Sequence, residues 1–193
     1  MSEKPKATLK DTVPFICRRS VCGILSATAL LVAGALSPSA CSRPLPGNDS
    51  PGRFDSPEAQ MLSLTNQDRT AQQNWEETQG RAHPLQWDDR LAAAAQAHSE
   101  DMARAGYLSH EGSDGSLPAQ RVSYMGIQWI STGENVARAR DAAEAEALFM
   151  DEPKFQQNHR ANILNPNYTI VGIGVARDSE GTLYITEEFA QLR

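Results

Sequence analysis

The side chains of this chain best suited to chemistry are its four histidines, His83, His98, His110 and His159, and two glutamates, Glu134 and Glu152. A neutral imidazole can ligate a divalent cation or move a proton near neutral pH, and a carboxylate within reach can orient that imidazole or take a proton from bound water. The histidines are not equivalent. His110 lies in the Gly-rich stretch Ser109-His110-Glu111-Gly112-Ser113-Asp114-Gly115, where glycines let the backbone turn sharply and hold a ring at a cleft edge. His159 lies in Asn158-His159-Arg160-Ala161-Asn162-Ile163-Leu164. His98 falls on the apolar face of a helix and reads as a satisfied core or boundary residue, and His83, ahead of Pro84, reads as loop surface. Glu134, between Gly133 and Asn135 and leading into Val136, is a carboxylate that needs a partner. Glu152 on local pattern alone reads as surface. A site built on two imidazoles falls short of the three protein ligands usual at a catalytic zinc and would hold Zn²⁺ weakly and exchangeably.

Elements must bring these residues together. Ser56 can cap a first helix with Pro57 at its start, and Met61, Leu64, Thr65, Ala71 and Trp75 recur at roughly helical spacing as far as Gly80. Asp88 caps a second helix whose buried face is Leu91, Ala94, Ala95, His98, Met102 and Ala105, ending before Gly106. A third runs from Asp141 to about Asp151, with Ala142, Ala145, Leu148 and Phe149 on one side. Thr169 to Ala176 and Leu183 to Phe189 read as strands joined by a hairpin at residues 177–181, and Gly133 to Ala137 as a short further strand. Helices covering both faces of a small, mainly antiparallel sheet predict an α/β fold, a three-layer α/β/α sandwich.

The segments ahead of these elements have a different character. Basic residues end at Arg18-Arg19, the run Val21 to Leu36 has no charge, and Ser37-Pro38-Ser39-Ala40-Cys41 follows. Basic, apolar and small in that order predict a signal peptide over 1–40, since the apolar run falls short of the roughly 20 residues needed to span a bilayer. Cys41 after Ser39-Ala40 resembles a lipobox, which predicts lipidation and a membrane-anchored lipoprotein; plain cleavage would give a secreted or periplasmic product, and Arg18-Arg19 admits a twin-arginine route. The Pro-, Gly- and Ser-rich residues 41–57 suit a flexible tether, leaving 58–193 as the folded domain. No Cys follows position 41, so that domain is expected to be held by packing without disulfides.

Composition narrows the function further. The chain has 193 residues and net charge -6, with its first 40 residues basic, so the remainder is more acidic still and poorly suited to nucleic acid or an anionic membrane face. It carries no Gly-x-Ser-x-Gly elbow, no paired zincin histidines and no phosphate loop.

Taken in order, Asn66 and Arg69, Pro84-Leu85-Gln86-Trp87, Ala95, Gln96, His98 and Met102, Ser109-His110, Arg121 and Gly126, Gly133-Glu134-Asn135, His159 to Leu164, Val171 to Val175 and Phe189-Ala190 resemble a CAP domain. That superfamily is named for cysteine-rich secretory proteins, antigen 5 and pathogenesis-related 1 proteins, and is also called SCP. The resemblance spans residues 58–190 and implies a bacterial exported member with a cleft lined by two His and two Glu. On it, His110 matches the first His, Glu134 the Glu of the Gly-Glu-Asn motif, His159 the second His, and Glu152, three residues after Phe149, the second Glu, which implies His110 and His159 as the pair that would hold a weakly bound Zn²⁺.

Three functions fit these residues. The first is a binding module outside the cytoplasm whose His/Glu cleft holds a divalent cation and a peptide, lipid or glycan. The second is a metal-assisted hydrolase, a peptidase with Glu134 or Glu152 as catalytic base. The third is a structural domain whose cluster is only a satisfied polar network.

Overall fold

The computed structural model describes residues 55–193. The expected signal peptide, Cys41 and most of the tether lie outside the described residues.

The three longest helices begin where side-chain caps set them. Ser56 accepts from Ala59 N at 3.2 Å and opens α1 (Pro57–Thr70). Asp88 accepts from Arg90 N at 2.9 Å and opens α3 (Asp89–Ala105), which ends on Gly106 at φ 70°. Asp141 accepts from Glu144 N at 2.9 Å and opens α5 (Ala142–Met150). Each cap satisfies a backbone donor that the first helical turn cannot.

The first helix does not reach Gly80. It stops at Thr70, and a 3₁₀ turn, Gln72–Asn74, leads into the short α2 (Trp75–Thr78). The break turns Trp75 outward, 63% exposed, while Asn74 is buried. On α5 the expected apolar face is also shifted: Leu148 is exposed, and Glu146 joins Ala142, Ala145 and Phe149 inside. Two further helices are too short to show a period in the sequence, α4 (Pro118–Tyr124) and α6 (His159–Leu164).

The sheet has four strands: β1 (Gln86–Trp87), β2 (Trp129–Ala139), β3 (Ile170–Arg177) and β4 (Leu183–Leu192), in the order β1-β3-β4-β2. β3 and β4 form the expected hairpin, β2 lies antiparallel to β4 and far exceeds the Gly133–Ala137 expectation, and β1 lies parallel to β3. β2 is therefore an edge strand. On one face of the sheet α3 packs so closely on β3 that a Cβ at Gly172 would fall 1.9 Å from Ala92 N and one at Gly174 2.2 Å from Gln96 N. The other face is covered by α1, α5 and α6, over a core that includes Met61, Phe149, Ile163, Ile173, Ile185 and Phe189. Helices on both faces of a mainly antiparallel sheet make the α/β/α sandwich.

Candidate functional site

Strand alternation sends consecutive side chains of β2 to opposite helical layers. Glu134 turns toward α3 and α4, and Asn135 toward α6. Gly133 completes the step, because a Cβ there would lie 2.6 Å from Asn162 Oδ1 and 2.8 Å from the Tyr168 hydroxyl. Only a residue without a side chain lets α6 approach so near.

On the α3 side, Glu134 is buried and accepts from His110 Nδ1 at 2.6 Å. Its second oxygen accepts from Arg121 of α4. Arg121 also donates to the carbonyls of His110 at 3.0 Å and Ser116 at 2.9 Å, so one guanidinium fixes both the carboxylate and the loop that carries the imidazole. His98 is buried, as its helix face predicts, and its Nε2 is paired with the Ser109 carbonyl at 2.8 Å. Burial lowers its pKa, and the Glu134 carboxylate, 3.9 Å away, opposes that shift. Behind Arg121 lies Glu188 of β4, fully buried. Burial, with the Glu134 charge beside it, holds the Glu188 carboxyl well above the usual range.

On the other side, Asn158 caps α6 by accepting from Ala161 N at 3.0 Å, which places His159 at the first helical position. Glu152 accepts from His159 Nδ1 at 2.7 Å and from the His159 backbone N–H at 2.7 Å, so it is the orienting group for this ring and not a free surface charge. Phe149 packs against the imidazole at 5.1 Å between centroids. The helix is anchored by Arg160, whose guanidinium donates to both oxygens of Glu77 and to Asn74. Arg160 beside Glu77 holds that carboxyl below the usual range.

The two His–Glu pairs meet at the open edge of β2. The rings of His110 and His159 are 5.6 Å apart between centroids. A carboxylate on each Nδ1 favours the Nδ1–H tautomer and leaves each Nε2 with its lone pair. Among the described residues neither Nε2 makes a hydrogen bond. His83 is exposed and contributes only its carbonyl, to Arg69 Nε at 2.9 Å. Among the described residues no group of three or more His, Cys, Asp and Glu is arranged to hold a metal ion. Two imidazole Nε2 atoms, with both carboxylates engaged on Nδ1, are fewer donors than the three protein ligands usual at a catalytic zinc.

Local pattern in the sequence missed several supporting groups: Glu77, Asn74, Glu146, Glu187 and Glu188. The adjacent glutamates in Leu183 to Phe189 were the available signal, since a strand with helices on both faces has no solvated side for either.

A helix–sheet–helix sandwich with two His–carboxylate pairs converging at the edge of its sheet defines a recognisable class of domain. The family model for CAP, the cysteine-rich secretory protein family, matches residues 62–189, and the chain belongs to that family. Two Bacillus subtilis (strain 168) proteins are similar to it: the uncharacterized protein YkwD, 31% identical over 126 residues, and the uncharacterized membrane protein YlbC, 32% identical over 133. The matches cover 65% and 68% of this chain but 44% and 34% of those proteins, so the chain spans less than half the length of either. Among solved structures, an extracellular SCP-domain protein of Bacillus anthracis aligns over 70% of this chain and 40% of its own, with TM-score 0.55 and 25% identity. An outer surface protein of Borrelia burgdorferi aligns over 72% of this chain and 96% of its own, with TM-score 0.59 and 14% identity, a likeness of fold alone.

Proposed function

We propose that this CAP-domain protein acts outside the cytoplasm as a binding module, and that the edge-strand cleft is its ligand site. The observation that carries the reading is the pairing itself: two imidazoles 5.6 Å apart, each with its Nδ1 on a carboxylate and its Nε2 uncommitted. His110 and His159 would hold a divalent cation such as Zn²⁺, which when bound would present open coordination positions to an oxygen or nitrogen of a peptide, lipid or glycan. Glu134 and Glu152 orient the rings and raise their basicity. Both carboxylates being spent on that task favours binding over hydrolysis, because a general base needs an oxygen available to the attacking water. Export is supported by the basic, apolar and small-residue order of the first 41 residues and by the extracellular SCP-domain protein from Bacillus anthracis. A lipid on Cys41 would keep the domain at a membrane surface; among the described residues no helix is long and apolar enough to cross one.

The test is a thermal-shift titration with ZnCl₂. Wild type is expected to melt at higher temperature as zinc rises, because a ligand that binds only the native state stabilises it. His110→Ala and His159→Ala are expected to fold and to lose that response. A wild-type protein indifferent to zinc sinks the metal part of the reading, and turnover of a peptide library that depends on His159 would replace binding with hydrolysis. Mass spectrometry of the mature N-terminus reads the fate of Cys41.

A further inference from the structure

β4 carries two adjacent buried glutamates, one facing each helical layer. Glu188 belongs to the Arg121–Glu134 group already described. Glu187 faces the other layer, where it meets Thr65 of α1 and Glu146 of α5. The Thr65 hydroxyl lies 2.9 Å from Glu187 Oε1 and 3.1 Å from Glu146 Oε2. A hydroxyl has one hydrogen to give. Two ionised carboxylates cannot both be served by it, so one of the pair carries a proton of its own.

The remaining partners say which. Glu187 Oε2 accepts from Asn135 Nδ2 at 2.9 Å, and that amide cannot be turned round, because Asn135 Oδ1 accepts from Asn162 Nδ2 at 3.0 Å. Glu187 therefore accepts at both oxygens, the role of a carboxylate. Glu146 has no such donors: its Oε1 is buried with no hydrogen-bond partner, a costly position for an anion. A proton on Glu146 suits the two neighbours a carboxylate would repel, the Thr65 oxygen and Asp68 of α1. The second Asn135 Nδ2 hydrogen goes to the His159 carbonyl at 3.2 Å.

We infer that Glu146 is a neutral acid, that this frees Thr65 to donate to an ionised Glu187, and that Glu187 through Asn135 fixes the start of α6 and with it His159. Glu146 and Glu187 are positioning residues. The charged groups that face Glu146 are Asp68 on α1 and Glu187 on β4. Burial, with the charges of Glu187 and Asp68, pushes Glu146 up to about 9. Burial raises Glu187 less far, since the Thr65 and Asn135 hydrogen bonds oppose it. The inference deepens the cleft reading only in naming what holds His159; the relay is a property of the core and is tested without metal.

The experiment compares Glu146→Gln with Glu187→Gln in metal-free protein at neutral pH. The readouts are melting temperature, amide hydrogen exchange over residues 159–164, and the infrared carbonyl band of a carboxylic acid. Glu146→Gln, isosteric with the protonated side chain, is expected to keep wild-type melting and exchange and to remove an acid carbonyl band from the difference spectrum. Glu187→Gln is expected to lower the melting temperature and speed exchange across α6 several-fold. If Glu187→Gln does not fold, Thr65→Val, which removes the shared hydrogen, is expected to speed the same amides. The inference is overturned if Glu146→Gln fails to fold or melts as low as Glu187→Gln, if no acid band is lost, or if neither Glu187→Gln nor Thr65→Val affects α6. A flat zinc titration of wild type would count against the cleft and leave the relay standing.

Discussion

Glu134 and His110 share a hydrogen bond but differ in what their removal exposes. The His110 side chain is half exposed, whereas that of Glu134 is 1% exposed. His110→Ala is expected to leave stability within about 0.5 kcal/mol of wild type, the usual range for a surface change. Glu134→Ala removes the carboxylate that pairs with the buried Arg121 guanidinium and is expected to cost about 3–5 kcal/mol in urea denaturation, as for other buried pairs broken on one side. Equal costs for the two variants would contradict this account of Arg121. Gly133→Ala belongs to the same scale. Its methyl group would enter the space of Asn162 and Tyr168, at an expected cost of about 1–3 kcal/mol read from the denaturation midpoint.

At the scale of elements, α6 is short and carries His159 at its first turn, so it depends on what grips it from outside. That grip is Arg160 on Glu77, with side chains 7% and 8% exposed. Glu77→Gln is expected to lower stability by about 3 kcal/mol and to loosen α6 in hydrogen exchange. Because Arg160 holds the Glu77 carboxyl below its usual range, the contribution is present above roughly pH 4.3 and is lost as pH falls through the depressed value. The elements also mark where the sequence could be read. Helices that start on Ser56, Asp88 and Asp141 announced themselves through local chemistry, and the β3–β4 hairpin through its β-branched runs and Gly181. The break after Thr70 did not, because what replaces the helical turn is burial of Asn74 against Arg160, 86 residues along the chain. The Glu146 and Leu148 exchange on α5 has the same origin. Its polar face is decided by Thr65 and Glu187, which no window of residues around 146 contains. Likewise nothing local to Glu152 distinguishes it from a solvated acid; the resemblance singled it out, and the structure sets it on His159.

The whole molecule has an unusual distribution of acid strengths. Glu146, Glu187 and Glu188 are raised by burial, whereas Glu77, Asp88 and Asp101 are lowered, Glu77 and Asp88 chiefly by an arginine and Asp101 by Tyr107 and Ser113. The lowered group adds stability above the usual carboxylate values, lost on acidification. Within the raised group, Glu146 holds a proton that the unfolded chain releases near about pH 4.3, so its contribution is complete below that value and declines as pH rises toward about 9, where Glu146 ionises. Stability of the isolated domain is therefore expected to peak near about pH 5 and to fall on the alkaline side. Melting curves across pH check this, and Glu146→Gln should flatten the alkaline limb. A peak above neutrality would mean Glu146 is ionised in the native state.

His110 and His159 stand on layers applied to opposite sides of one sheet and come together only past its unpaired rim. Their spacing is thus a gauge of sandwich thickness. Any load that prises one layer outward, such as a bulky guest wedged under α6 or tension on the chain entering α1, would register as a wider gap between the rings before either helix unwinds.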